Sequence, residues 1–288
     1  MFMARLMSLN LNLSPSSTFL LESYVKLRAM RLDLSLPLAV FVVTTIAVRA
    51  YPLCESRMKA LYKYERLRTR DIVFLIVAFS TVITITALVP ELALLVFFVA
   101  IYSVGLFLFA YTVWPKWYAS VIFPAVFILL YLYHWTIVEM DIFSFAFVVF
   151  LSMALNGFFS WKTSALFAGL LTVVDVIHVF GTKLMISSAM KIVALKLPLT
   201  IILPTFPSEG QIVIGLGDIF LAILLSLQTS ERMGRNLGLI CALSISLMFL
   251  ILEAVQLNFK LQFFPATVTV VAGWLATVSL GKALNVRY

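Results

Sequence analysis

Residues 72–113 read IVFLIVAFSTVITITALVPELALLVFFVAIYSVGLFLFAYTV, two apolar runs meeting at Pro90-Glu91, with Glu91 the single charge in the stretch. About 20 apolar residues in a helix cross the ~30 Å hydrocarbon core of a bilayer. Proline fixes its own φ and disfavours helix in the residue before it, so Pro90 separates two helices. The stretch therefore predicts an antiparallel pair of membrane spans, and the rest of the chain repeats it. Further runs fall at roughly 34–53, 118–138, 142–160, 163–181, 210–228, 236–257 and 265–281, beside 72–89 and 92–113. Arg49 interrupts the first of them. The expected fold class is all-α, a polytopic membrane protein of about nine transmembrane helices.

Composition agrees. The 288 residues are 63% hydrophobic and 12% charged, against about 25% charged in soluble domains, and the mean hydropathy is +1.09. The net charge of +8 does not read as a nucleic-acid footprint, because Lys and Arg sit in the gaps between apolar runs, as topology signals do. Trp114, Trp117, Tyr118, Trp135 and Trp161 lie near predicted span ends, where interfacial aromatics belong. The 25 Phe read as lipid-facing and packing mass. Cys54, Cys241, His134 and His178 are too few and too scattered for a zinc site, and no Walker loop or GxSxG elbow occurs. No metal or other cofactor is expected.

Residues 1–33 scatter Arg5, Lys26, Arg28 and Arg31 among Leu and Ser, without the long apolar core of a secretory signal. They read as an interfacial helix or as a mis-called start, with Met30 just ahead of the first good run. Residues 34–160 are expected to hold helices one to five as a scaffold, and 161–288 helices six to nine as the catalytic part. The loop at 54–71 carries six Lys and Arg. If it is cytoplasmic and contacts anionic lipid, alternation puts thirteen basic residues inside, including Lys116, Lys162, Arg232, Arg235, Lys282 and Arg287. Eight fall outside, among them Lys183, Lys191, Lys196 and Lys260. The excess predicts an outside N-terminus and a cytoplasmic C-terminus.

Three carboxylates fall clearly within spans: Asp175, Asp218 and Glu253. Glu253, near its span's end, is expected to reach the interface. An acid inside a bilayer costs roughly 2.5–3.5 kcal/mol at a helix centre, which makes it a functional-site hypothesis. Asp175 lies about 12 residues into its span and Asp218 about 8 into the next, from the opposite face. At ~1.5 Å per residue both sit at one level of a ~30 Å core. Two carboxyls in contact share one proton. One can then take a proton from water while the other gives one to a carbonyl oxygen, which is metal-free peptide hydrolysis. Gly215 and Gly217 remove side chains just before Asp218, allowing close backbone approach or an irregular helix start. Pro265-Ala266-Thr267 opens the last span. A loop entering a helix through Pro-Ala leaves carbonyls free to grip an extended substrate by strand addition. His178 shares a helical face with Asp175 and is expected to be a buried bystander.

These residues resemble the intramembrane aspartyl proteases, the family of presenilin and signal peptide peptidase. That family carries Tyr-Asp, Gly-x-Gly-Asp and Pro-Ala-Leu where this chain has Val174-Asp175, Gly215-Leu216-Gly217-Asp218 and Pro265-Ala266-Thr267. Val179-Phe180-Gly181-Thr182 with Met185 looks more like signal peptide peptidase, and the short 182–209 connection looks like an archaeal or minimal member. The resemblance covers about 170–270. It implies Asp175 and Asp218 as the catalytic pair, with Gly215, Leu216, Gly217, Pro265, Ala266 and Thr267 against the substrate. It also implies a single-pass transmembrane peptide, such as a signal-peptide remnant, as substrate. Val174 and Thr267 depart from the pattern: one loses a hydroxyl, the other replaces Leu. Partners are then the substrate and the lipid bilayer, not nucleic acid; a homo-oligomer stays open. So do a prepilin-type peptidase, a proton-coupled transporter or channel, and an inactive scaffold.

Overall fold

The computed structural model describes residues 32–182, 190–207, 210–259 and 264–284. The helices are α1 (Ser35–Leu61), α2 (Thr69–Leu88), α3 (Glu91–Val113), α4 (Trp117–Tyr133, broken at Val121), α5 (Ile137–Asn156) and α6 (Trp161–Val176). A π-helical turn, Ile177–Thr182, continues α6. Strands β1 (Thr200–Pro204) and β2 (Gln211–Gly215) follow, then α7 (Leu216–Met233), α8 (Arg235–Phe259) and α9 (Ala266–Ala283). The expected interfacial helix at 1–33 lies outside the described residues except at its last two positions. So do Lys183, Met185, Lys260 and Arg287.

Local chemistry sets the helix starts. Asp71 Oδ2 accepts the Arg68 N–H at 2.8 Å at the head of α2. Glu139 does the same for the Thr136 N–H at 3.1 Å before α5, and Ser160 and Thr163 cap one another at the start of α6. Each satisfies a backbone donor that the first helical turn leaves orphaned.

Among the described residues, seven helices, α1, α2, α3, α5, α6, α8 and α9, are long and apolar enough to cross a membrane. α4 is shorter, and α7 carries Asp218, Glu231 and Arg232 within its 18 residues. Two expectations need correction. The first run does not stop near residue 53: α1 continues through Arg49 and Pro52 to Leu61. Within a mostly helical fold, the run expected at 210–228 begins as strand β2 and turns helical only at Leu216. The apolar part of the long connection is its partner, β1. The two pair antiparallel with Ile201 opposite Ile214 and Leu203 opposite Ile212.

α7 is the axis of the molecule. It packs against α1, α5, α6, α8 and α9, and every residue from Asp218 to Thr229 is buried. A helix enclosed by protein tolerates polar groups that lipid would exclude. Gln228 donates to Asn156 Oδ1 at 2.9 Å, and Asn156 donates to Glu231 at 2.6 Å, tying α5 to α7.

The bundle has one end rich in basic residues. There the loop after α1 meets the loop before α6 (Leu67 N–H to Phe158 O, 2.8 Å). Arg57 donates to the Val113 carbonyl at 2.7 Å, Arg232 stacks 4.8 Å over the Trp161 ring, and Gly281 abuts Met233. At the other end, Asp33 Oδ1 accepts the Phe206 N–H at 2.6 Å, and the Leu34 N–H bonds the Phe206 carbonyl at 2.9 Å. The N-terminus of α1 thus holds the loop of the hairpin.

Glu253 does not reach the interface. It is 1% exposed, and neither carboxylate oxygen has a hydrogen-bond partner. Ser246, two turns earlier on the same face of α8, bonds the Pro37 carbonyl, so Glu253 projects over the start of α1 toward Asp33, its electrostatic neighbour. Asp33 Oδ2 is likewise buried without a partner. A buried acceptor left unpaired costs about 1–3 kcal/mol. Glu253→Gln, which brings a donor to these acceptors, is expected to raise the thermal midpoint of the purified protein. A lower midpoint would count against this packing.

Candidate active site

The two ends of α6 and α7 fix the level of the carboxylates. Trp161 opens α6 and Arg232 closes α7, and the two side chains are stacked. Asp175 lies fourteen residues beyond Trp161, and Asp218 fourteen residues before Arg232. At ~1.5 Å per residue each stands ~21 Å above that contact, so the antiparallel helices bring both to one height. Asp175 acts electrostatically on Asp218, and both side chains are buried. The count made from sequence took residues 210–217 as helix, whereas Gln211–Gly215 is strand and the helix begins at Leu216.

Asp218 occupies the first turn of α7, not its middle. β2 delivers the chain to that turn, and Gly215, still extended at φ −73° and ψ 144°, is the residue before the helix. The positive end of the helix dipole and the unpaired first-turn amides favour negative charge there. A Cβ on Gly215 would stand 3.4 Å from Asp218 Oδ2, so the carboxylate lies against this glycine. Around a Cβ on Gly217 nothing lies within 4 Å. The two glycines differ in role: one seats Asp218, and the other leaves open space beside it. Gly217→Leu would place its Cβ in that space without a clash. It is expected to leave stability nearly unchanged and to raise KM for a peptide substrate at least about tenfold, a check made by steady-state kinetics.

Asp175 is held from α9. Thr267 Oγ1 donates to Asp175 Oδ2 at 2.6 Å, and the Thr267 N–H approaches the same oxygen at 3.4 Å. Asp175 Oδ1 is buried with no hydrogen-bond partner. Val174 is partly buried against the hydrophobic core and offers no side-chain donor. His178, in the π-helical turn, shares a 3.1 Å hydrogen bond with Ser80 of α2 and is near enough to act on Asp175 electrostatically. It is buried, as expected, and it also ties α6 to α2.

Of the expected substrate residues, Gly215, Leu216 and Gly217 gather at the head of α7 with Asp218. Pro265, Ala266 and Thr267 lie at the head of α9, and Thr267 reaches Asp175. The Pro265 carbonyl accepts the Val268 N–H at 3.2 Å, and residues 261–263 of the loop before it lie outside the described residues. Among the described residues, the open strand edge is on β2. The outer edge of β1 is covered by α5: the Ile202 N–H donates to Asp141 Oδ1 at 2.9 Å, and Ser144 Oγ donates to the Thr200 carbonyl at 3.3 Å. The Leu216 N–H bonds the Leu199 carbonyl, so odd-numbered residues of β1 face β2. Antiparallel alternation then turns the N–H and C=O of Val213 away from β1. Val213 is exposed and stands five residues before Asp218. Sequence reading missed this edge, since Ile212-Val213-Ile214 is too short to separate a strand from a buried helix by periodicity.

Among the described residues, no three His, Cys, Asp or Glu side chains converge as metal ligands would. No protein-family model matches the chain, and no curated protein matches it.

Proposed function

We propose that this chain is an intramembrane aspartic endopeptidase, similar in its site to signal peptide peptidase, that hydrolyses a peptide bond within a single transmembrane helix. The observation that carries the reading is two buried aspartates on neighbouring helices within electrostatic reach of one another, beside a strand edge that leads straight into one of them. Bond by bond, water adds its oxygen to the scissile carbonyl carbon. One carboxylate takes the water proton, and the other carboxyl gives its proton to the carbonyl oxygen, forming a diol. On collapse the C–N bond breaks, the nitrogen takes the first carboxyl's proton, and a diol hydroxyl returns a proton to the second. The cycle needs neither metal nor covalent intermediate.

A transmembrane helix has all its backbone bonds satisfied internally, so cleavage requires it to unwind. The β2 edge supports this step, because an unwound segment recovers hydrogen bonds by adding as a strand. Val213→Pro tests it. Proline there removes only the outward N–H and leaves the β1–β2 bonds intact. One lost hydrogen bond, about 1 kcal/mol, is expected to raise KM several-fold with little change in kcat. An unchanged KM would remove the β2 edge from substrate binding.

The thirteen-to-eight excess of basic residues counted in the sequence supports a cytoplasmic C-terminus and an outside N-terminus. The function itself is tested by incubating the purified chain in liposomes with a synthetic transmembrane peptide and identifying products by mass. Cuts within the apolar segment, blocked by transition-state-mimicking aspartyl inhibitors, are expected. Trimming only at the membrane surface would favour a prepilin-type peptidase. Proton-coupled solute uptake without cleavage would favour a transporter.

A further inference from the structure

We infer that Thr267 is a positioning residue that orients the Asp175 carboxyl within the catalytic pair; this rests on the peptidase reading above. The Thr267 hydroxyl stands at 2.6 Å from Asp175 Oδ2, with its own N–H directed at the same oxygen. Two donors on one oxygen fix the rotation of the carboxyl. Asp175 Oδ1 is left buried and unpaired, the oxygen that α9 does not hold. No side chain among the described residues donates to Asp218, whose Oδ2 rests against Gly215.

The geometry also explains how α9 takes part. Pro265 precedes the first helical residue, so the Thr267 N–H is one of the orphaned first-turn donors. Asp175 satisfies it from another helix, reversing the usual cap, in which the acceptor comes from the same chain segment. The hydroxyl adds what the N–H at 3.4 Å gives only weakly. Val174, the neighbour of Asp175, has no hydroxyl to offer, so the side-chain donation to this aspartate comes from α9 alone among the described residues.

Two variants separate orientation from packing. Thr267→Val keeps the shape and deletes the hydroxyl; Thr267→Ser keeps the hydroxyl and deletes a methyl. With a transmembrane peptide substrate, Thr267→Val is expected to lower kcat about tenfold to a hundredfold with KM within about twofold. Thr267→Ser is expected to stay within about threefold of the parent. Infrared spectra of protein labelled with 13C at aspartate carboxyls give a second readout that does not need turnover. The Asp175 carboxylate band, assigned by its loss in Asp175→Asn, is expected to move in Thr267→Val and hold in Thr267→Ser. A band unmoved by Thr267→Val, or equal impairment of kcat in both variants, overturns the assignment. A parent protein that cleaves nothing overturns the peptidase reading instead, and the infrared bands still report whether the hydroxyl orients Asp175.

Discussion

Asp175→Asn and Asp218→Asn are each expected to lower cleavage of a transmembrane peptide by at least ~10³-fold, the scale on which a positioned acid or base contributes. Asparagine keeps the size and planar shape of the side chain, so packing changes little. In Asp175→Asn the amide oxygen can still accept from Thr267, whose hydroxyl stands 2.6 Å from the present carboxylate. In Asp218→Asn the amide still fits against Gly215, where a Cβ would be 3.4 Å away. Neither variant leaves a new buried charge, and each leaves a single buried carboxyl where two stood, so thermal midpoints are expected to hold or rise. Neither asparagine can take or give the proton that diol formation needs. The effects are not additive, because the aspartates act as a unit: the double variant is expected to be no worse than either single one. Measured rates in liposomes decide it. Retained cleavage in either single variant removes that aspartate from the chemistry, and retained cleavage in both removes the mechanism.

The sequence showed the carboxylate pair more clearly than the frame that holds it. Asp175 and Asp218 stood out because lipid-facing segments exclude charge, so any acid inside one signals a purpose. Residue counts alone gave the expectation of a common depth, and that count took the strand before Asp218 as helix. The form of the chain before Asp218 was not legible. A five-residue apolar strand ending in Gly-x-Gly and the first turns of a membrane helix present the same side chains, and only pairing with Thr200–Pro204 distinguishes them. Thr267 read as a departure from Pro-Ala-Leu and therefore as a loss. Its hydroxyl gains meaning only when α9 packs against α6 and sets it on Asp175. Glu253 read as an interfacial acid by its position near the end of a span. That reading failed because α1 covers it, and no pattern within α8 records what a distant segment will cover.

Glycines pose the same difficulty, and Gly273 carries the second large effect. In sequence it differs little from Gly169: both stand inside apolar helices. A Cβ on Gly169 meets nothing within 4 Å. On Gly273 it would lie 2.6 Å from Ile245 Cα and 2.8 Å from Ile245 N, so the contact is with the α8 backbone, which no rotamer change can relieve. Small residues let membrane helices approach this closely, and dispersion across such a contact is what holds them together. Gly273→Val is therefore expected to push α9 away from α8 and cost on the order of 3 kcal/mol, the upper end of overpacking effects. Gly169→Ala should be neutral or slightly stabilising, since Ala is favoured over Gly in a helix by about 1 kcal/mol. The consequence reaches the site. Thr267 lies six residues before Gly273, ~9 Å along the same helix axis, so a displaced α9 carries the Thr267 hydroxyl off Asp175. Gly273→Val should then lose both thermal stability and cleavage, and the infrared band of Asp175 should move as it does in Thr267→Val. Thermal unfolding and that band, measured on the same preparations, separate this from a local effect. A Gly273→Val protein with unchanged midpoint and unchanged band would mean that the α8–α9 contact does not set the position of Thr267.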